Sequence, residues 1–433
     1  MAREYKDSGI EWIGRIPKEW KMQPLSIYFG ENSKPNFNLD SINALQFKYG
    51  EIIQKPTNGR ELNDKDFELL SKYTMVAPND IVVNGLNLNY DLKSLRIARV
   101  REEGIITSAY IVLRPRNGAN SSFYNYYLKA LDFQKVFHGM GVGIRLTLSY
   151  NELRGMLLPV PSFEEQQRIA DYLDEKCGEI DSLISLQEQM IAQLTDYKQS
   201  VITEAVTKGL DPNVELIPSG IDWIGDIPKG WKIVPLRYLG RTQNGISQSG
   251  DYFGDGYPFV SYSDVYKNYS LPHQVKGLAK SSINDQKLFS VEEGDVFFTR
   301  TSETIEEIGF SCVCLNTIDK AVFAGFLIRF RPYKNAQIDK VYSKYYFRSN
   351  IHRAYFVKEM NIVIRASLSQ ELLKSLPVLL PSLEEQRAIA EYLDNKCAEI
   401  DALISLKQQK IETLKDYKKS LIFEAVTGKI EVV

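Results

Sequence analysis

The chain has 433 residues, 44% hydrophobic and 25% charged, with a formal net charge of −2. That length supports two to four domains with ordinary cores. No apolar run nears the ~20 residues that cross a bilayer, and the opening MAREYKDSGIEW carries no apolar signal segment, so a cytosolic protein with no membrane partner is expected.

In chain order, the first recognisable stretch is SGIEWIGRIPKEW at 8–20. DIVVNG (80–85) and AYIVLRP (109–115) alternate and are rich in Val, Ile and Tyr, which predicts β-strands. SSFYNYYLKALDFQKVF (121–137) reads as a short amphipathic helix. GMGVGIRL (139–146) reads as a flexible loop leading into a strand-like run. From Pro161 the pattern turns helical. Ser162 and Glu165 fit a capping box, and apolar residues then recur at spacings of three and four: Ile180, Leu183, Met190, Leu194, Tyr197, Val201. From Cys177 to Thr207, that is roughly 45 Å of helix at ~1.5 Å per residue.

The chain then repeats itself. SGIDWIGDIPKGW at 219–231 matches 8–20 at ten of thirteen positions. FLIRFRP (326–332) and DKVYSKYYFRSNIHRAYF (339–356) supply another strand and helix. Residues 381–427 then match 161–207 at 31 of 47 positions without a gap, with Ser382 and Glu385 as a second capping box. Between these repeats, 21–158 and 232–378 share only a skeleton. PNDIVVN (78–84) resembles EGDVFFT (293–299), IVLRPR resembles LIRFRP, and IRLTLS (144–149) resembles IRASLS (364–369). A common frame with differing surfaces follows. The expected architecture is α+β: two mixed α/β domains, 1–160 and 211–380, and two helical regions, 161–210 and 381–433. Pseudo-two-fold symmetry would run the two helices antiparallel as a coiled-coil spacer; two independent helical hairpins would bury the same stripes. Gln187, Lys407 and Lys410 interrupt the stripe, so no strict leucine zipper is expected.

Charge follows the same division. Residues 162–208 hold four Lys/Arg against ten Asp/Glu, and 382–433 hold eight against ten. Residues 21–161 hold 17 against 13, and 232–381 hold 19 against 14. Acidic helices and mildly basic domains suit protein contacts and phosphate contacts respectively. Catalytic chemistry is absent from the motifs. His138, His273 and His352 are scattered, VTGK (426–429) is not a phosphate loop, and no GxGxxG opens a helix after a strand. The four cysteines have no CxxC spacing or histidine cluster, which argues against a metal site and for reduced, structural thiols.

The pattern SGI-[ED]-WIG-x-IP-x-x-W, a variable domain and LPxPSxxEQxxIAxYLD with its long helix, all repeated, closely resembles the specificity subunit of type I DNA restriction-modification systems. The resemblance covers essentially the whole chain. It implies a non-catalytic subunit whose two target-recognition domains each read one half of a split double-stranded DNA target. It further implies helices that fix the gap and dock two modification (methyltransferase) subunits, with restriction/translocase subunits able to join. S-adenosylmethionine, ATP and Mg would belong to those partners, with no cofactor or metal in this chain. Alternatives at this point are service to an orphan adenine methyltransferase, a scaffold with no DNA role, and a stand-alone enzyme with diverged motifs. The Trp12/Trp223 and Trp20/Trp231 pairs are expected to anchor each domain on the helices. Candidate DNA contacts are Asn84, Asn87, Asn89, Lys93 and Arg145 in the first domain. In the second they are Gln243, Asn244, Ser247, Thr299, Arg300, Ser302 and Arg365. Arg145 and Arg365 are equivalent at an offset of 220, which suggests a shared phosphate contact.

Overall fold

The computed structural model describes residues 3–48, 50–56, 62–89, 94–143, 146–301, 308–352, 355–356 and 367–432. They form two compact units, one from Met1–Glu188 and Gln408–Val433, the other from Gln189–Lys407.

The first unit is built on a four-stranded antiparallel sheet. Its strands are β1 (Phe29–Glu31), β2 (Ile81–Val83), β3 (Ile97–Arg99) and β4 (Ile111–Pro115), in the spatial order β1-β4-β2-β3. The second unit repeats this sheet as β5 (Gly240–Asn244), β6 (Val296–Thr299), β7 (Ser311–Val313) and β8 (Leu327–Pro332), in the order β5-β8-β6-β7. Ile81 pairs with Leu113, and Val296 with Phe330. The strands predicted from DIVVNG, AYIVLRP and FLIRFRP are thus β2, β4 and β8, and their leading residues are buried on both faces because helices and loops cover both. Helix α1 (Ser121–Phe133) packs on the first sheet and α3 (Lys340–Tyr346) on the second. Both are shorter than the sequence pattern proposed; the first continues as a 3-10 turn at Val136–Gly139.

Each sheet carries the same ion pair to a buried aspartate. Asp80 sits at the entry to β2 and accepts from Arg114 at 2.9 and 2.6 Å, while Asp295 accepts from Arg331 at 2.6 and 2.6 Å. Each aspartate also accepts a backbone N–H of the preceding turn, from Ala77 or Glu292. The shared D of PNDIVVN and EGDVFFT and the shared R of the two RP strands are therefore partners.

The long repeats are single continuous helices, α2 (Phe163–Lys208) and α4 (Leu383–Val426). At 46 residues, α2 is ~69 Å long. It starts fourteen residues before the stretch measured on the sequence, and no hairpin occurs. The two units each take one half of each helix. The motif PSxxEQ…YLD organises the helix starts. Ser162 and Ser382 accept the N–H of Glu165 and Glu385, each at 3.2 Å. The glutamates, expected to close reciprocal capping boxes, instead accept the indole N–H of Trp20 and Trp231, each at 2.9 Å. A buried indole N–H needs an acceptor, and the carboxylate at the helix start is the one within reach. Gln166 and Gln386 reach the starts of α1 and α3, accepting from the N–H of Asn120 and Asp339. Leu173 and Leu393 are fully buried, and Asp174 and Asp394 accept the hydroxyls of Tyr126 and Tyr345, each at 2.7 Å.

Trp20 and Trp231 also report helix direction. A Cβ on Gly428, just past the end of α4, would lie against Trp20, whose indole binds Glu165 at the start of α2. In the second unit, Gly209, just past the end of α2, faces Trp231, which binds Glu385 at the start of α4. Both glycines have positive φ, 69° and 75°, as helix-ending residues do. Within each unit, one helix begins where the other ends, which is the expected antiparallel coiled-coil pairing. The pairing is sealed by Lys418–Asp181 in one unit and Lys198–Asp401 in the other, equivalent under the offset of 220. Trp12, expected as an anchor, is instead 41% exposed, while Trp223 packs on its unit's core beside Tyr355. The four cysteines are buried and free.

The units differ around this frame. The first adds the hairpin Leu45–Lys48/Glu51–Gln54 and the pair Thr74–Val76/Gly104–Ile106. The second adds a three-stranded sheet of Phe253–Val260, Gly277–Ala279 and Val322–Phe323.

Candidate nucleic-acid interface

In each unit the described candidate residues lie at one end of the four-stranded sheet. In the second unit this end holds the last residues of β5 and β6 and the first of β8, since Asn244 pairs with Ile328 and Thr299 with Leu327. The backbone of Arg300 bonds Phe326 on one side and Leu368 on the other, at 2.9 and 2.8 Å. Arg300 itself is half-buried and Phe326 is 64% exposed. Beside them lies a cleft of about 600 Å³ walled by Ile246, Phe253, Phe259 and Phe326, with Ser247 and Gln248 at its rim.

The sequence-predicted residues fall differently within this end. Ser247 is exposed, and Asn244 is half-buried with a side-chain oxygen that finds no donor among the described residues. Gln243 is half-buried and held in place: its oxygen accepts from Arg329, and its amide donates to Leu288 O at 3.2 Å. Arg329 is buried across the sheet, also donates to Ser290 O at 2.6 Å, and is pushed down to about 10 by that burial, so it remains charged near neutrality. Thr299 is fully buried; its hydroxyl accepts the Phe310 N–H, which fastens β6 to the strand beside it and leaves no face for a base. Ser302 and Arg365 lie outside the described residues, as do Lys93 and Arg145.

In the first unit the corresponding end is the loop after β2. Asn84 is half-buried, and its side chain accepts the Leu86 N–H at 3.2 Å. Asn87 and Asn89 are exposed, Asn87 with φ of 51°, a conformation asparagine tolerates. The loop rests on Arg96, a buried guanidinium that sequence reasoning missed. It donates to the carbonyls of Asn84 and Leu86 at 3.1 and 2.8 Å, and the Arg96 N–H is received by Asp132 of α1 at 2.8 Å. Burial raises the Asp132 carboxyl, against the pull of that bond and the nearby cations. Arg96 stands one residue before β3, where a charged residue reads as solvent-facing; only the fold shows it turned inward.

Strand register makes the two ends comparable position by position. Asn84 corresponds to Thr299, Gly85 to Arg300, and Ala109 to Phe326. A Cβ on Gly85 would lie 2.4 Å from the Leu148 carbonyl oxygen, so this unit excludes a side chain where the other carries an arginine. One frame thus presents an asparagine loop in one unit and an arginine beside an aromatic cleft in the other. Among the described residues no group of three or more His, Cys, Asp or Glu could hold a metal ion, and no helix is long and apolar enough to cross a membrane.

Comparisons with known proteins give this repeated sheet-and-helix frame a family. The family model described as "Type I restriction modification DNA specificity domain" matches residues 46–196 and 228–416, and the chain belongs to that family. It is similar to the "Type I restriction enzyme MjaVIII specificity subunit" of Methanocaldococcus jannaschii, 24% identical over 431 residues, covering 96% of this chain and 94% of that protein. It is also similar to the "Type I restriction enzyme EcoKI specificity subunit" of Escherichia coli K12, 24% identical over 443 residues, with 96% and 90% covered. A solved chain described under "Structural basis underlying complex assembly and conformational transition of the type I R-M system" shares the fold at TM-score 0.70 and 17% identity, covering 96% of this chain and 99% of that one. The HsdS subunit from Thermoanaerobacter tengcongensis aligns at TM-score 0.50 and 17% identity, covering 96% and 98%.

Proposed function

We propose that this chain is a non-catalytic, DNA-reading subunit of a type I restriction-modification complex. It recognises a split double-stranded target, one half-site per unit, and the paired helices fix the gap between the halves. It docks two modification subunits, which use S-adenosylmethionine to methylate adenine at N6. Restriction subunits that hydrolyse ATP with Mg join the same assembly, in the cytoplasm.

The observation that carries this reading is the contrast at equivalent positions. The frame is retained down to individual hydrogen bonds, yet Gly85 and Arg300, or Ala109 and Phe326, differ in the chemistry they offer a base edge. A protein that bound one ligand twice would keep those positions alike. Arg300 is the base-reading candidate of the second unit, with Asn244 and Ser247 beside it; Asn84, Asn87 and Asn89 are those of the first. Lys93, Arg145, Ser302 and Arg365 complete the proposed contact set, the two arginines on phosphate.

The test is to map N6-methyladenine across the genome of a host expressing this chain with its modification subunit, with and without this gene. Two short half-sites around a fixed unspecific gap, lost on deletion, are expected. A continuous motif, or methylation that persists without the chain, refutes the reading.

A further inference from the structure

The turn that opens β8 sets an aromatic ring in water at the candidate interface of the second unit. Leu327 and Ile328 are fully buried, but Phe326, the residue before them, is 64% exposed. Its backbone is pinned. The Arg300 N–H donates to Phe326 O at 2.9 Å, the Leu327 N–H closes the turn on Ala324 O at 3.0 Å, and the Gly325 N–H donates to Ile246 O at 2.7 Å. Two glycines let these loops meet so closely. A Cβ on Gly245 would run into the carbonyls of Phe323 and Ala324, and one on Gly325 would run into the Ser247 hydroxyl. In the same cleft of about 600 Å³ stand Phe253 and Phe259, in ring contact at 4.9 Å and packed on Ile246, Ala279 and Val322. The cleft is thus preformed, and its walls are hydrocarbon.

A single exposed phenylalanine is ordinary, but this one walls an aromatic cleft and lies directly across the strand pair from Arg300. Cross-strand neighbours are about 5 Å apart, between one and two of the ~3.4 Å steps of a duplex. Whichever base pair Arg300 reads, Phe326 therefore meets that pair or its neighbour. In the major groove, base edges offer a hydrocarbon wall one apolar group, the C5 methyl of thymine. The other features there are hydrogen-bond donors and acceptors, which this surface would leave unpaired. The first unit carries Ala109 at the equivalent register position and so has no such ring.

We infer that Phe326 and the mouth of its cleft recognise the methyl group of a thymine in the second half-site, beside the base pair that Arg300 reads. This rests on the functional reading above and adds which base chemistry the second unit selects. Cytosine or a purine at that position would set an amino group, a ring nitrogen or a carbonyl against hydrocarbon and lose the contact. The first unit, without the ring, supplies the internal control.

The experiment measures binding of the full chain, in complex with its modification subunit, to duplexes carrying the mapped target. Each thymine of the second half-site is replaced in turn by deoxyuridine, which keeps every hydrogen bond and lacks the methyl. One replacement, within about two base pairs of the position that Arg300→Ala relaxes, should weaken binding about fourfold, the worth of one buried methyl group. 5-Bromodeoxyuridine, with a methyl-sized apolar atom on the same carbon, should bind there like thymidine. With Phe326→Ala the uracil and thymine duplexes should bind equally, while single-base changes in the first half-site keep their full effect, which separates a lost contact from misfolding. A second half-site without thymine, uracil tolerated at every thymine, or a uracil penalty that survives Phe326→Ala overturns the assignment. A complex that binds no split target overturns the functional reading instead, and the assignment with it.

Discussion

Asp295→Ala offers the sharpest test of the frame. Asp295 is fully buried, holds Arg331 at 2.6 Å through both oxygens and caps the turn at Glu292. Removing one partner of a buried pair costs about 3–5 kcal/mol because the other charge is stranded. Arg331 is only 15% exposed, but it keeps Glu292 at 2.7 Å and Ser290 O at 3.0 Å, which places the loss near the lower end, about 3 kcal/mol. The same change at Asp80 should cost less, about 2 kcal/mol, because Arg114 is 42% exposed and can turn to water. Amide hydrogen exchange separates the units. Asp295→Ala should speed exchange in β6 and β8 by on the order of a hundredfold, since each 1.4 kcal/mol is about tenfold, and leave β2 and β4 unchanged. A change below about threefold, or one shared equally by both sheets, would show that the pair does not hold the sheet and that the units are not separate cores.

Arg300→Ala should relax base preference at one position of one half-site by about 1–3 kcal/mol and leave the other half-site intact; single-base target variants in a binding assay decide this. Gly85→Ala should destabilise the first unit by about 1–3 kcal/mol, because the Leu148 carbonyl occupies the Cβ position, read as a lower urea midpoint with unchanged slope. Arg96→Ala should release the asparagine loop and weaken reading of the first half-site while the second half-site is still read, measured with half-site-substituted DNA. Burial raises the hydroxyls of Tyr124, Tyr127 and Tyr342 above the usual tyrosine range. The unfolded chain therefore releases protons above pH about 10 that the folded chain retains, so the stability these tyrosines contribute is constant below that pH and is lost as pH rises above it. A tyrosinate absorbance titration should show a late fraction that appears only with unfolding; all tyrosines titrating together and reversibly near 10 would contradict this.

The sequence disclosed what recurs. Two copies of one text predicted two copies of one plan, and strand alternation and helical spacing placed β2, β4, β8 and both long helices. Direction came from symmetry alone, and the Trp20–Glu165 and Trp231–Glu385 contacts agree with it. What could not be read is what depends on which way a polar side chain turns. Glu165 looked like a capping residue because the rule is local, whereas its partner Trp20 is 145 positions away. Thr299 looked like a loop reader because it ends a strand, but the neighbouring strand covers it. Arg96 carried no signal, since a lone arginine before a strand is ordinary. Phe326 was passed over because apolar strand residues read as core, and only the turn at Gly325 puts the ring in water.

The sharing of each helix between both units has a consequence for synthesis. The second unit is one unbroken span, 189–407, and can close its core as soon as it leaves the ribosome. The first cannot. Leu421, Ile422, Ala425 and Val426 are part of its core, packed with residues such as Trp20, Phe123 and Leu173 made hundreds of codons earlier. Its sheet and its start of α2 must wait, with apolar surface uncovered, until α4 is translated, so of the two units the one begun earlier is finished later. A nonsense mutation in α4 would strike the first unit, nearly four hundred codons upstream, by removing residues that close its core.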